Sequence, residues 1–179
     1  MKPIFLIGYM GCGKTTLGKP LARLLAMPFI DLDLYIERQC HMSAKEIFLT
    51  HGEAHFRMLE RKALKEIAQS NTCVVVACGG GTPLKANNME MMNSVGITVW
   101  LRTSIDRIVS RLVLPEQRCK RPLLNNMSDE EIKASVAQGL EARTPFYKQA
   151  RLQFDSTFLE SEQEIDTTAH RLAALLNSL

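Results

Sequence analysis

Apolar residues along the chain follow two rhythms, and the rhythms alternate. Short unbroken runs, Pro3-Ile4-Phe5-Leu6-Ile7, Cys73-Val74-Val75-Val76-Ala77 and Ile97-Thr98-Val99-Trp100-Leu101, predict strands buried on both faces of a parallel sheet. Pro28-Phe29-Ile30 leading into Asp31-Leu32-Asp33 predicts another short strand, whose period of two places both carboxylates on one side of its end. Leu152-Gln153-Phe154-Asp155 predicts the last. Between these runs apolar positions recur at helical spacing, as in Leu17, Leu21, Leu24 and Leu25, and in Ile165, Ala169, Leu172, Leu175 and Leu176. Three helices carry their own start signal. Ser43-Ala44-Lys45-Glu46, Ser128-Asp129-Glu130-Glu131 and Ser161-Glu162-Gln163-Glu164 all read as capping boxes. Gly52 should break the first of these helices, with a longer one over 53–69 carrying Phe56, Leu59, Leu64 and Ile67. Further helices are expected over 34–39, over 84–93 and from Ser104 to a point before Pro115, while the helix from Ser128 runs to about Thr144 and can continue through Gln149. Strands alternating with helices give an α/β fold with a parallel sheet, whose ligands belong at the carboxyl ends of the strands.

The first strand–helix junction changes this picture from a fold to a chemistry. Residues 8–16 read Gly8-Tyr9-Met10-Gly11-Cys12-Gly13-Lys14-Thr15-Thr16, the G-x-x-x-x-G-K-[ST] pattern in its strand–turn–helix context. Glycines let several backbone N–H groups converge on one anion, and the helix N-terminus adds its positive dipole end. Lys14 can reach the β- and γ-phosphates and the Thr15 hydroxyl can ligate Mg²⁺. This is a nucleotide-phosphate site.

Composition narrows the class. With 179 residues, 46% hydrophobic and 23% charged, the chain suits one compact domain. A net charge of +3 is too mild to argue for nucleic acid. No apolar run approaches the roughly 20 residues of a membrane helix, and residues 8–14 interrupt the segment a signal peptide would need. Five cysteines, Cys12, Cys40, Cys73, Cys78 and Cys119, include no C-x-x-C pair, which argues for a reducing cytoplasm over a disulfide framework or zinc site.

Several other residues could carry chemistry. Asp31 and Asp33, beside a phosphate loop, can divide labour, one holding Mg²⁺ and one accepting a proton from an attacking hydroxyl. Arg57 and Glu60 share a helix face, where a surface ion pair is the default. Arg143, late in its helix, has a solvated arginine as its default. Residues 115–122, Pro-Glu-Gln-Arg-Cys-Lys-Arg-Pro, show no periodicity and read as a mobile basic loop, either plain surface or a lid bringing cations over a triphosphate. His51 and His55 lack the H-E-x-x-H pattern and read as surface or packing residues. Met89, Met91 and Met92 read as core. Cys12, at a helix start and two residues from Lys14, is a candidate reactive thiol or simply a small residue fitting the turn.

Taken together, residues 8–15, Asp31-Leu32-Asp33, Phe56-Arg57 with Glu60, Gly79-Gly80-Gly81, Arg121-Pro122-Leu123-Leu124 and Arg143-Thr144-Pro145-Phe146-Tyr147 resemble shikimate kinase over nearly the whole chain. The resemblance implies ATP-dependent phosphorylation of the 3-hydroxyl of shikimate, a step toward chorismate and the aromatic amino acids. It implies a P-loop NTPase of the nucleoside-monophosphate-kinase type, with three layers and a five-stranded parallel sheet in the order 2-3-1-4-5. Substrate-binding helices would lie at about 33–60 and a lid at about 112–124. By the same resemblance Asp33 holds the reacting hydroxyls. Arg57 and Arg143 grip the substrate carboxylate, Glu60 orients the site, and Phe48 and Phe56 wall the ring. Gly79, Gly80 and Gly81 bring backbone N–H groups close to the substrate. Gly11, Cys12, Gly13, Lys14, Thr15 and Thr16 bind ATP, with Thr15 on Mg²⁺ directly and Asp31 through water. Arg121 swings onto the transferring phosphate, and Arg111 flanks the adenine.

One departure stands out. Many family members carry a basic residue just after the last strand, against the adenine, where this chain has Asp155-Ser156-Thr157-Phe158. Phe158 would then stack on the base, or nucleotide selectivity would be loose. Two alternatives remain open from the residues alone. One is another small-molecule kinase, such as a gluconate kinase, which the glycine triplet and paired arginines disfavour. The other is a non-catalytic nucleotide sensor, which the intact set Lys14, Thr15, Asp31 and Asp33 disfavours. No surface stripe argues for an oligomer, so a monomer is expected.

Overall fold

The computed structural model describes residues 2–70, 72–85, 87–119, 124 and 127–179. Five strands, β1 (Ile4–Ile7), β2 (Phe29–Asp31), β3 (Val75–Ala77), β4 (Ile97–Arg102) and β5 (Leu152–Asp155), form one sheet in the order β2-β3-β1-β4-β5. Every pairing is parallel. The fold class and strand order expected above are therefore what the chain adopts.

Alternation along β1 explains the two layers around the sheet. Phe5 and Ile7 point into one core, with Ile36, Phe56, Leu64, Met89, Met92, Ile132 and Tyr147. Ile4 and Leu6 point into the other, with Leu17, Leu21, Ala169 and Leu172. The second core is closed by α1 (Lys14–Leu24) packing on α8 (Glu162–Asn177). The first is closed by α2 (Leu32–Cys40), α3 (Ala44–Gln69), α4 (Asn88–Val95), α5 (Ile105–Leu112) and α7 (Asp129–Tyr147). A sheet sandwiched this way leaves β1 with no polar-facing side, which is why its run is unbroken.

All three capping boxes form, with Ser43, Ser128 and Ser161 each accepting from the backbone N–H three residues on. Gly52 interrupts α3 as expected, at φ 80° and ψ 170°. Three boundaries differ from expectation. The second strand stops at Asp31, because the Asp31 carboxylate accepts the Leu34 N–H and caps a helix there. Asp33 thus lies in the first turn of α2 rather than on a strand. The stretch expected as a helix over 84–93 is a 3₁₀ turn, Thr82–Leu84, followed by α4 starting later. Pro115–Cys119, expected as a loop, is a short helix, α6, because proline is pre-organised for a first helical turn. Arg118 ties it down by donating to the carbonyls of Val113 and Met127 and pairing with Asp129. No helix among the described residues is long and apolar enough to cross a membrane.

Candidate active site

The β1–α1 turn needs positive φ at three glycines, Gly8 (144°), Gly11 (78°) and Gly13 (95°). Elsewhere this backbone would be strained for an L side chain. Its carbonyls are held from below. Arg111 Nη1 donates to Gly11 at 2.9 Å, while Ser156 Oγ and Thr103 Oγ1 donate to the carbonyl of Cys12 at 3.0 and 3.4 Å. Lys14 Nζ donates to the carbonyls of Gly8 and Tyr9 at 2.8 and 2.9 Å. Cys12 itself is 1% exposed, packed into the α1–α8 core. Lys14 Nζ also donates to its Sγ at 3.8 Å, while burial keeps the thiol from solvent and favours the fitting-residue reading.

From the loop the site spreads to β2. Thr15 Oγ1 donates to Asp31 Oδ2 at 2.8 Å. The two residues assigned to a metal thus meet across 16 residues of sequence and present hard oxygen donors, which suits Mg²⁺.

Asp33 lies one turn further on. Its Oδ1 is buried and lacks a hydrogen-bond partner among the described residues. Burial, with the negative charges of Glu60 and Asp31, pushes its carboxyl up to about 6, against the opposing pull of Lys14 and Arg57. Such a group is poised to accept a proton near neutral pH.

The glycine triplet shows how closely the rest converges. A Cβ on Gly79 would sit 2.7 Å from Glu60 Oε1 and 3.0 Å from Asp33 Oδ1. One on Gly81 would sit 2.9 Å from Arg57 Nη2, and one on Gly80 would touch Arg143 Nη1 at 3.4 Å and the Met10 backbone N at 3.6 Å. The triplet at the end of β3 is therefore the floor against which Asp33, Arg57, Glu60, Arg143 and the phosphate loop all pack. Arg57 donates through Nε to Glu53 at 3.1 Å and through Nη1 to Glu60 at 2.5 Å. Glu60 is 1% exposed, so the surface ion pair expected from spacing is instead a buried one. Arg143, likewise, is not simply solvated. Its guanidinium lies 4.8 Å from the Tyr9 ring centroid and reaches the Gly80 carbonyl at 3.5 Å. Phe48 and Phe56 stack with centroids 4.6 Å apart, and Arg57 lies over both rings.

A shikimate kinase family model matches residues 10–173. The chain belongs to the shikimate kinase family. A shikimate kinase of Parabacteroides distasonis is 43% identical over 98% of this chain and all of its own length. That of Bacteroides thetaiotaomicron is 47% identical over 98% of this chain and 99% of the relative. The crystal structure of a Bacteroides thetaiotaomicron shikimate kinase superposes with a TM-score of 0.92 at 46% identity, covering 98% of each chain. A shikimate kinase of Acinetobacter baumannii, solved in complex with shikimate, gives a TM-score of 0.84 at 32% identity over 99% of this chain and 94% of that one.

For a shikimate kinase the remaining sequence-assigned residues divide clearly. Thr16 is exposed in the first turn of α1. Arg121 lies outside the described residues. Arg111 Nη2 also donates to the Thr157 carbonyl at 2.9 Å and pairs with Glu160 at 3.0 Å, so it joins the phosphate loop to the turn after β5. In that turn Phe158 is 54% exposed, and the Arg107 guanidinium lies 5.6 Å from its ring centroid. His51 and His55 face each other with ring centroids 4.8 Å apart on α3.

Five residues escaped the sequence reading. Tyr9 carries the ring beneath Arg143, and Tyr147 Oη donates to the Gly80 carbonyl at 2.8 Å. Thr82 Oγ1 donates to Glu60 at 2.5 Å. Ser156 and Thr103 hold the loop carbonyl. Tyr9 lies within the phosphate-loop pattern, Tyr147 within the stretch that begins at Arg143 and Thr82 beside the glycine triplet, so these three had a local signal without a role attached.

Proposed function

We propose that this chain transfers the γ-phosphoryl group of ATP to the 3-hydroxyl of shikimate. One observation carries the reading: Asp33, two arginines and the phosphate loop all pack around a single glycine triplet. A shikimate molecule offers a carboxylate for the arginines and, on the same small ring, a hydroxyl for Asp33. Arg57 and Arg143 bind that carboxylate through charge-assisted hydrogen bonds. Asp33 orients the hydroxyl and takes its proton as the oxygen attacks phosphorus. The bond from the γ-phosphorus to the ADP oxygen breaks, and the proton leaves Asp33 to solvent with the product. Lys14 and the loop N–H groups steady the negative charge that builds on the phosphoryl oxygens. Thr15 and Asp31, with their hard oxygen donors, would hold Mg²⁺, which when bound would neutralise phosphate charge there.

Residues of about 33–60 form the substrate-binding helices and residues of about 112–124 a lid. Arg121 reaches the transferring phosphate from that lid, whose closure excludes water. The donor's adenine lies beside Arg111 and Phe158. The enzyme works as a cytoplasmic monomer and takes no nucleic acid or membrane partner.

A coupled ADP-release assay with shikimate and gluconate side by side tests the reading. Release stimulated by shikimate alone is expected. Release driven by gluconate, or ATP binding with no turnover on either, would overturn it.

A further inference from the structure

Thr82 follows the glycine triplet, is 0% exposed, and is fixed on three sides. Its N–H donates to the Gly79 carbonyl at 3.1 Å, and its carbonyl accepts Asn88 Nδ2 at 2.9 Å. Its hydroxyl faces Glu60 Oε1 at 2.5 Å. An ionised carboxylate only accepts, so the hydroxyl must donate. The other Glu60 oxygen, Oε2, is taken by Arg57 Nη1, also at 2.5 Å. Each oxygen of this buried carboxylate therefore has one fixed donor, and the plane of the group is set.

Two consequences follow from that plane. Arg57 is held at Nε by Glu53 and at Nη1 by Glu60, which leaves Nη2 beside Gly81, at the triplet floor. Asp33 Oδ1 and Glu60 Oε1 crowd the same point above Gly79, at 3.0 and 2.7 Å from where a Cβ would sit, with Thr82 Oγ1 also 3.0 Å away. Thr82 and Arg57 occupy the two oxygens of Glu60, whereas Asp33 Oδ1 has no hydrogen-bond partner among the described residues and is left for the acceptor.

We propose that Thr82 is a positioning residue of the phosphoryl-transfer site: its hydroxyl pins Glu60, which aims Arg57 at the substrate carboxylate. The proposal rests on the shikimate-kinase reading, and wild-type turnover on shikimate is measured first. Failure there would overturn that reading and not the hydrogen bond argued here.

Thr82→Val keeps the shape and removes the donor, whereas Thr82→Ser keeps the donor. Kinetics in the ADP-release assay are expected to show kcat/KM for shikimate falling about tenfold or more in Thr82→Val, the loss of a hydrogen bond to a buried charge. The KM for ATP stays within about twofold, and Thr82→Ser stays within about twofold throughout. A purely structural role would lower the active fraction without moving the shikimate KM. Wild-type behaviour of Thr82→Val, equal loss in Thr82→Ser, or an ATP KM rising in step would each overturn the proposal. Should Thr82→Val fail to fold in a thermal melt, Thr82→Ala, which removes the hydroxyl without a new methyl against the carboxylate, carries the same comparison. In a Glu60→Gln background the Thr82 substitution should add less than about twofold, because its only route is gone. A full multiplicative loss there would refute that route.

Discussion

Replacing Asp33 by Asn should inactivate the enzyme and stabilise it at once. Asp33 is ionised at neutral pH at a cost, because its carboxyl is pushed from 3.8 to about 6 by burial and by Glu60 and Asp31. A group raised in the folded state binds more protons there than in the unfolded chain, so stability falls as pH rises between those two values. At about 1.4 kcal/mol per tenfold, the native state at pH 8 carries about 3 kcal/mol of destabilisation from this one charge, and about half of that at pH 5. Asparagine keeps the shape without the charge and offers an N–H near Glu60. For a chain of this size about 3 kcal/mol corresponds to a rise of about 6–12 °C in Tm. Thermal melts of both proteins, without nucleotide or metal, should therefore show a gap at pH 8 that shrinks by about half at pH 5. The same variant should lose about 10²–10⁴ in kcat, the usual worth of a general base, while binding ATP normally. A variant no more stable than wild type at pH 8, or a gap that ignores pH, would refute the argument that Asp33 is a strained charge. Parallel loss of ATP affinity would count against its role at the acceptor.

Other consequences are open to measurement. In wild type, kcat/KM for shikimate should fall about tenfold per pH unit below about 6, as Asp33 takes up its proton; a flat profile down to pH 5 would remove it as the base. Arg57→Ala strands the buried Glu60 and should cost about 3 kcal/mol in urea denaturation, partly recovered by adding Glu60→Gln. Thr15→Val should raise the Mg²⁺ concentration for half-maximal activity by about tenfold while the fold stays intact, and unchanged metal dependence would sink the assignment. Gly79→Ala drives a methyl toward Glu60 and Asp33 at a cost of about 1–3 kcal/mol, so the shikimate KM should rise while the ATP KM does not.

How much of this was legible depended on how local each signal is. The phosphate loop was readable because strand, glycine turn and helix are contiguous, and each glycine answers a backbone demand. The capping boxes and the Gly52 break were readable for the same reason. Glu60 was not, because three-residue spacing to Arg57 is the same on a surface as in a core. Only the arrival of Gly79 and Thr82 from β3 makes its site interior. Asp33 was placed on a strand, since the pattern cannot tell a strand end from a helix cap two residues earlier. Pro115–Cys119 is too short for periodicity to declare a helix. Ser156 and Thr103 act on a carbonyl more than 90 residues away, and nothing near them in sequence points there.

The strand order also fixes where the enzyme is least able to breathe. β1 pairs with β3 on one edge and β4 on the other, so the residues that end in the phosphate loop have both backbone neighbours in place. Amides of such a central strand exchange with solvent only when the whole domain opens. The phosphate loop is accordingly mounted on a strand expected to open only with the whole domain, with Asp33, Arg57 and Glu60 on α2 and α3 toward the sheet's β2 side. Amide exchange slower in β1 than in α2 and α3 would show that local openings there leave the loop's curvature intact.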